Sequence, residues 1–437
     1  MKKVMAAVVV TAMVATAAVI VRAQTGAPVP AATTPAAPAP AATGYETEPV
    51  LNAKDLATPE LLKGPHFTVD PKVPVKGFLA RFTIRSSYGT FEAHGMHMLP
   101  IRVNEVEAIA KLDDLSKTKE FAEAAGRAIA RPVTSTVNMM VHPVDTVEGF
   151  PDGVVRLFDR VKLGSERVYD AATAQGQSGG QRAEEASKRV GMATITALGF
   201  EKERRDLAKS LGVDPYTTNP VLAKKLTDTA WVAFSGRFMI QTATSILVPY
   251  SMAMSAVTIT NSTIYDTPAA DLVNNATVIF GQTGASEAQV QALVQNPQYS
   301  LSVLTALAMG VQRLQGTQGL DAVVIFAAAA RTQDETRFMA GAVNMLARYS
   351  EGVAPITRVT ASGPILGFTQ AGAVVVPMPV DYISWTQRVA RFPQREDIRT
   401  APEHVGFVSG RLSPLAQKNF QRLRWQLFES FTVAAER

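Results

Sequence analysis

The chain has no cysteine. That one absence removes disulfides, thiol nucleophiles, cysteine-based zinc sites and iron–sulfur clusters together. Histidine is scarce, with five in 437 residues, so an imidazole-dependent centre has few side chains to draw on. Several short catalytic and binding motifs are also missing: there is no H-E-x-x-H, no Walker loop, no G-x-G-x-x-G after a strand and no EF-hand loop. Ser116 to Lys119 matches S-x-x-K, but the companion S-D-N and K-T-G are absent, and Ser116 reads as a helix cap. Ser409 lies in "GFVSG", which is not the G-x-S-x-G of a nucleophile elbow.

Charge of one sign is lacking too. Of the formal net charge of +5, three charges belong to Lys2, Lys3 and Arg22, so the rest of the chain is close to balance. No basic block stands out along the sequence, so neither a nucleic-acid footprint nor a membrane-surface grip is expected from it.

The beginning of the chain is informative. Lys2 and Lys3 precede an uncharged apolar run from Val4 to Val21, and Val21 and Ala23 sit at −3 and −1 before Gln24. This is the pattern of a secretory signal over residues 1–23, with an uncleaved N-terminal anchor as the alternative because the run is long. Residues 24–44 alternate Pro, Ala and Thr with no large apolar side chain beyond Val29, which predicts a disordered linker biased to extended polyproline II. The expected location is therefore outside the cytoplasm, periplasmic or cell-envelope associated.

Periodicity gives an α+β fold class: an N-terminal β-hairpin, a large mainly helical middle, and a small C-terminal α/β region of short strands and one helix. The expected regions are 45–172, a flexible Gly/Gln/Ser-rich loop at 173–182, a helical domain at 183–350 and an α/β region at 351–437. From Gly77 to about Val103 the alternation of Phe78, Ala80, Phe82 and Ile84 predicts strands around the turn "SSYGT", with Pro100 bending the second strand, and helix from Asn104. Asn219 followed by Pro220, and Ser413 followed by Pro414, mark helix starts. The strands at Val405–Ser409 and Gln426–Val433 with the helix Pro414–Arg424 predict one β–α–β unit.

Candidate site residues are few. Glu92, His94 and His97 are the candidates for a metal site. Strand geometry puts Glu92 and His94 on one face and His97 on the other, so the histidines converge only if Gly95 bends the strand. His142 with Asp145 could orient a general base. Asp381 beside Tyr382 and Trp385 ends an apolar strand, a common way to line a ligand cleft. His66 and His404 read as solvated loop histidines. Between Arg237 and Asp266 there is no charge, and residues 238–259 are long enough to meet a bilayer, although their many hydroxyl side chains and Pro249 suit a buried helix pair better.

These features favour an exported envelope protein acting as a non-catalytic interaction or binding module. Its expected partner is another envelope protein or a small ligand, with no nucleic acid and no cofactor. A membrane-associating protein using residues 238–259, and an exported hydrolase with a non-motif site, are the alternatives.

Overall fold

A computed structural model describes residues 44–128, 154–159, 195–236, 261–361 and 363–430. The signal-like run and nearly all of the linker, His142, Asp145, the 173–182 loop and residues 238–259 lie outside the described residues.

The chain enters through five strands: β1 (Val50–Asn52), β2 (Phe67–Val69), β3 (Lys72–Lys76), β4 (Leu79–Ser86) and β5 (Gly89–His94), with a short helix α1 (Pro59–Leu62) before β2. All pairings are antiparallel, and β4 pairs with β2, β3 and β5. The hairpin β4–β5 turns at Ser86–Gly89, where Tyr88 N–H donates to Ser86 Oγ at 3.0 Å, so the "SSYGT" turn is where the sequence places it.

The second strand is shorter than expected. It stops at His94, and Gly95 takes φ +99°, a backbone state open mainly to glycine. The chain then enters helix α2 (Met98–Ser116), so Pro100 bends no strand; it sits in a first helical turn, where its missing N–H costs nothing. Helix therefore begins six residues before the expected Asn104. Ser116 is the last residue of α2 rather than a cap, its hydroxyl donating to Asp113 O, and Thr118 caps α3 (Lys119–Arg127) by accepting from Phe121 N–H.

The middle is helical: α4 (Val155–Asp159), α5 (Ile195–Leu211), α6 (Pro220–Gly236), α7 (Asn261–Asp266), α8 (Ala269–Gly281), α9 (Glu287–Val294), α10 (Leu301–Arg313), α11 (Leu320–Ala328) and α12 (Gln333–Gly352). Local chemistry explains the boundaries. Gly212 ends α5 at φ +66°, Asn219 Oδ1 caps α6 by accepting from Val221 N–H, and a Ser286–Gln289 capping box opens α9. Helix α12 is buried on every face from Asp334 to Ala347, which marks it as the central element. Gly310 of α10 lets the two helices approach closely, since a Cβ there would lie 2.9 Å from Asn344 Nδ2.

The last region holds β6 (Ile356–Ala361), β7 (Ile365–Thr369), β8 (Val374–Met378), β9 (Tyr382–Ile383), α13 (Gln387–Arg391), α14 (Glu396–Arg399), β10 (His404–Val408), β11 (Arg411–Leu412), α15 (Pro414–Arg422) and β12 (Trp425–Phe428). The main sheet has the order β12-β10-β8-β7-β6, parallel across β8, β10 and β12 and antiparallel from β8 to β6. β10, α15 and β12 form the expected β–α–β unit, with Ser413 capping the helix. β8 is buried along its whole length, as a strand covered on both faces must be. One hydrophobic cluster runs from Phe78 through the helices to Trp425, and a smaller one lies under the N-terminal sheet.

Candidate functional site

The densest polar chemistry lies where the N-terminal hairpin meets the first turn of α12. Thr332 caps α12 by accepting from Glu335 N–H, which leaves Asp334 in the first turn, beside the positive end of the helix. Its carboxylate takes Arg81 Nη1 at 3.0 Å and His94 Nδ1 at 3.0 Å, with Arg337 Nη1 at 3.6 Å. Arg81 and His94 face each other across the β4–β5 ladder, so the hairpin presents both to one carboxylate. The far side of the His94 ring is held as well: Nε2 lies 3.1 Å from the exposed Glu92 carboxylate. Burial alone would raise the Asp334 carboxyl, but the His94 hydrogen bond and the charges of His94, Arg81 and Arg337 outweigh it and hold the group down at about 2.

His97 sits at the turn between β5 and α2, against Gly95, whose would-be Cβ lies 2.8 Å from the imidazole. Its Nε2 is buried without a partner among the described residues. Burial, followed by the nearby Arg337 charge, pulls the ring down to about 4, so it is neutral at neutral pH. The expected opposite-face placement of His97 therefore does not hold. Gly95 turns the chain, and His97 comes within electrostatic reach of Asp334 and His94.

Asp381 arrives from the C-terminal region, 301 residues beyond its contact. It accepts from Ala80 N–H at 2.8 Å with one oxygen and from Met96 N–H at 3.0 Å with the other, occupying the edge of β4 that β5 leaves as it turns away. Burial pushes its carboxyl up to about 6, with the two N–H bonds opposing.

A further layer lies behind Arg337. Its Nη2 reaches Gln333 Oε1 at 2.9 Å and Thr218 Oγ1 at 3.3 Å, and Arg102 Nη2 reaches the same Thr218 hydroxyl at 2.9 Å. Glu105, 2% exposed, is fully engaged: it accepts from Arg102 at 2.6 Å, from Asn219 Nδ2 at 3.2 Å and from the Thr217 hydroxyl. Asp214, raised by burial, accepts from Ser302 Oγ and from Tyr216 N–H, each at 2.7 Å. The loop at residues 214–219 thus threads charged α2 onto α12.

The structure brings Glu92, His94, His97 and Asp381 into one neighbourhood, as the sequence does not show, and adds Arg81, Asp334 and Arg337. It does not bring them together as a metal centre. Both His94 nitrogens face carboxylates, and among the described residues no three His, Asp or Glu side chains are arranged to hold a metal ion. The Trp385 ring is buried edge-on against Phe420 at 5.4 Å, and the Trp385 backbone N–H donates to Glu46 Oε2 at 2.6 Å. Tyr382 is half-buried on β9, its hydroxyl raised first by burial and then by Glu46 and Glu429. The two loop histidines are not merely solvated: His66 pairs with Glu107 at 2.7 Å, and His404 opens β10, stacks on Trp425 and bonds Ile398 O.

The residues missed from sequence are Arg81, Arg102, Glu105, Asp214, Asp334 and Arg337. Each has an ordinary surface explanation in one dimension, as a strand arginine, helix charge or turn aspartate. Among the described residues no helix is long and apolar enough to cross a membrane. Comparison with known proteins finds no matching family, no similar curated protein and no similar solved structure.

Proposed function

We propose that this chain is an exported protein of a bacterial envelope, whose folded body is a non-catalytic interaction or binding module carried on the Pro/Ala-rich spacer. The export half of this reading is supported by Lys2, Lys3 and the apolar run to Val21, followed by residues too poor in large apolar side chains to fold. One observation carries the module half: the charged groups of the central cluster are spent on one another. Asp334 is held by Arg81, His94 and Arg337, Asp381 by two backbone N–H groups, and Glu105 by Arg102, Thr217 and Asn219. A reacting acid or base needs a free lone pair or proton aimed at a substrate position; these carboxylates are aimed at other parts of the fold, and the unpartnered imidazole nitrogen of the cluster, His97 Nε2, is buried away from solvent.

The test has two parts. Mass spectrometry of the protein from cell fractions should find a mature chain starting at Gln24 in the envelope or periplasm; an intact Met1 form confined to the cytoplasm contradicts export. Crosslinking in the intact envelope should then give one reproducible partner band. Crosslinks absent in every condition, together with turnover of an ester or glycoside probe that Asp381→Asn abolishes, would replace the module by a hydrolase.

A further inference from the structure

The C-terminal sheet carries a polar concavity that shares no lining residue with the Asp334 cluster. It encloses about 590 Å³ and is lined chiefly by Pro402, Glu403, His404, Leu423, Arg424 and Gln426, at the N-terminal ends of β10 and β12.

Arg424 is the unusual residue. It follows the C-cap of α15 at φ +60°, donating its N–H to Gln421 O at 2.9 Å. Helices that end this way place glycine here, because a Cβ is strained in the left-handed region. An arginine at this position spends stability to aim a long cationic side chain at the concavity, and such strain gathers at functional sites. The side chain is exposed, and among the described residues the guanidinium meets no carboxylate within ion-pair distance.

The other walls supply the opposite chemistry. Glu403 Oε1 accepts from Gln426 Nε2 at 2.6 Å, which orients the carboxylate and leaves its second oxygen open. His404 Nε2 lies 2.9 Å from Ile398 O. A carbonyl only accepts, so Nε2 carries the proton and Nδ1 of the neutral ring is left as an acceptor. The ring is fixed by stacking on Trp425 at 5.3 Å. Pro402 and Leu423 give apolar sides.

A donor fork on one side and acceptors on the other suit a molecule with the complementary pair of groups. We propose that this concavity binds a small carboxylate that carries its own N–H or O–H donors, an amino acid or a sugar acid, with the carboxylate on Arg424 and the donors on Glu403. The proposal deepens the binding-module half of the function above and needs nothing from the export half.

The full chain is titrated at pH 7 with alanine and with glucuronate, followed by calorimetry and by chemical shifts of the Trp425 indole. Saturable binding of alanine assigns an amino acid, and saturable binding of glucuronate assigns a sugar acid. Arg424→Gly should weaken that binding roughly tenfold or more, through loss of a bidentate arginine–carboxylate contact, while raising the melting temperature because glycine relieves the left-handed backbone. Arg424→Lys should bind with intermediate strength. Absence of binding by both probes at millimolar concentration, or binding indifferent to Arg424→Gly, overturns the proposal. Neither result touches partner crosslinking in the envelope, so this site and the proposed function fail separately.

Discussion

His94 Nδ1 lies 3.0 Å from Asp334 Oδ2, joining a hairpin strand to the first turn of the central helix across 240 residues of chain. The same carboxylate takes Arg81 from the neighbouring strand and faces Arg337 one turn along its own helix. Two arginines and one imidazole around one mostly buried anion make Asp334 the pivot of the contact between the N-terminal sheet and the helical body.

Replacing Asp334 by Asn keeps the shape and removes the charge. Arg81 and Arg337 are then left in a poorly solvated site without the carboxylate they share, and His94 keeps only the exposed Glu92, a loss of roughly 3–5 kcal/mol by the behaviour of broken buried pairs. Chemical denaturation at pH 7 should show this as a large fall in midpoint with little change in slope. Glu92→Gln is the contrast: its side chain is 71% exposed, and its loss should stay within about 1 kcal/mol.

The cluster carries two opposing pH dependences. His97, pulled from 6.5 to about 4, is protonated more readily in the unfolded chain. Its contribution is present above pH 6.5 and is lost as pH falls towards 4, to the order of 3 kcal/mol. Asp381 is raised from 3.8 to about 6 and works the other way: its contribution is present below 3.8 and is lost as pH rises through 6. The two slopes partly cancel between pH 4 and 6. His97→Leu should remove the first and expose the second, so that melting temperature falls as pH is raised over this window. A variant profile parallel to that of the original protein contradicts the assignment.

Gly95→Ala meets two obstacles, the φ of +99° and the His97 ring 2.8 Å from the new Cβ. The expected cost is about 1–3 kcal/mol, read as a lower melting temperature. Adding His97→Ala removes the ring and should return part of that loss, leaving the backbone share.

Much of the fold is written locally. Asn219-Pro220 and Ser413-Pro414 set helix starts through cap chemistry within three residues, and Gly212 and the Ser86–Gly89 turn act over similar distances. The β10–α15–β12 unit is also short-range. What is not legible is pairing at long separation, such as the parallel contact of β8 with β10 and the seat of Asp381 on the Ala80 and Met96 amides. Asp334 looks like an ordinary first-turn acid, since nothing in its neighbours names Arg81 or His94 as partners. Gly95 was the one local clue: the bend it permits ends the strand early and carries His97 to the cluster.

Asp334 acts as a structural tie between the hairpin and the central helix, and a double-mutant cycle between Arg81 and Asp334 measures that tie. Stabilities of the original protein, Arg81→Met, Asp334→Asn and the double variant are measured by denaturant unfolding at pH 7 and low salt. A favourable coupling of roughly 1–3 kcal/mol is expected for this 3.0 Å pair. A coupling indistinguishable from zero, with both single variants near the stability of the original, would contradict it.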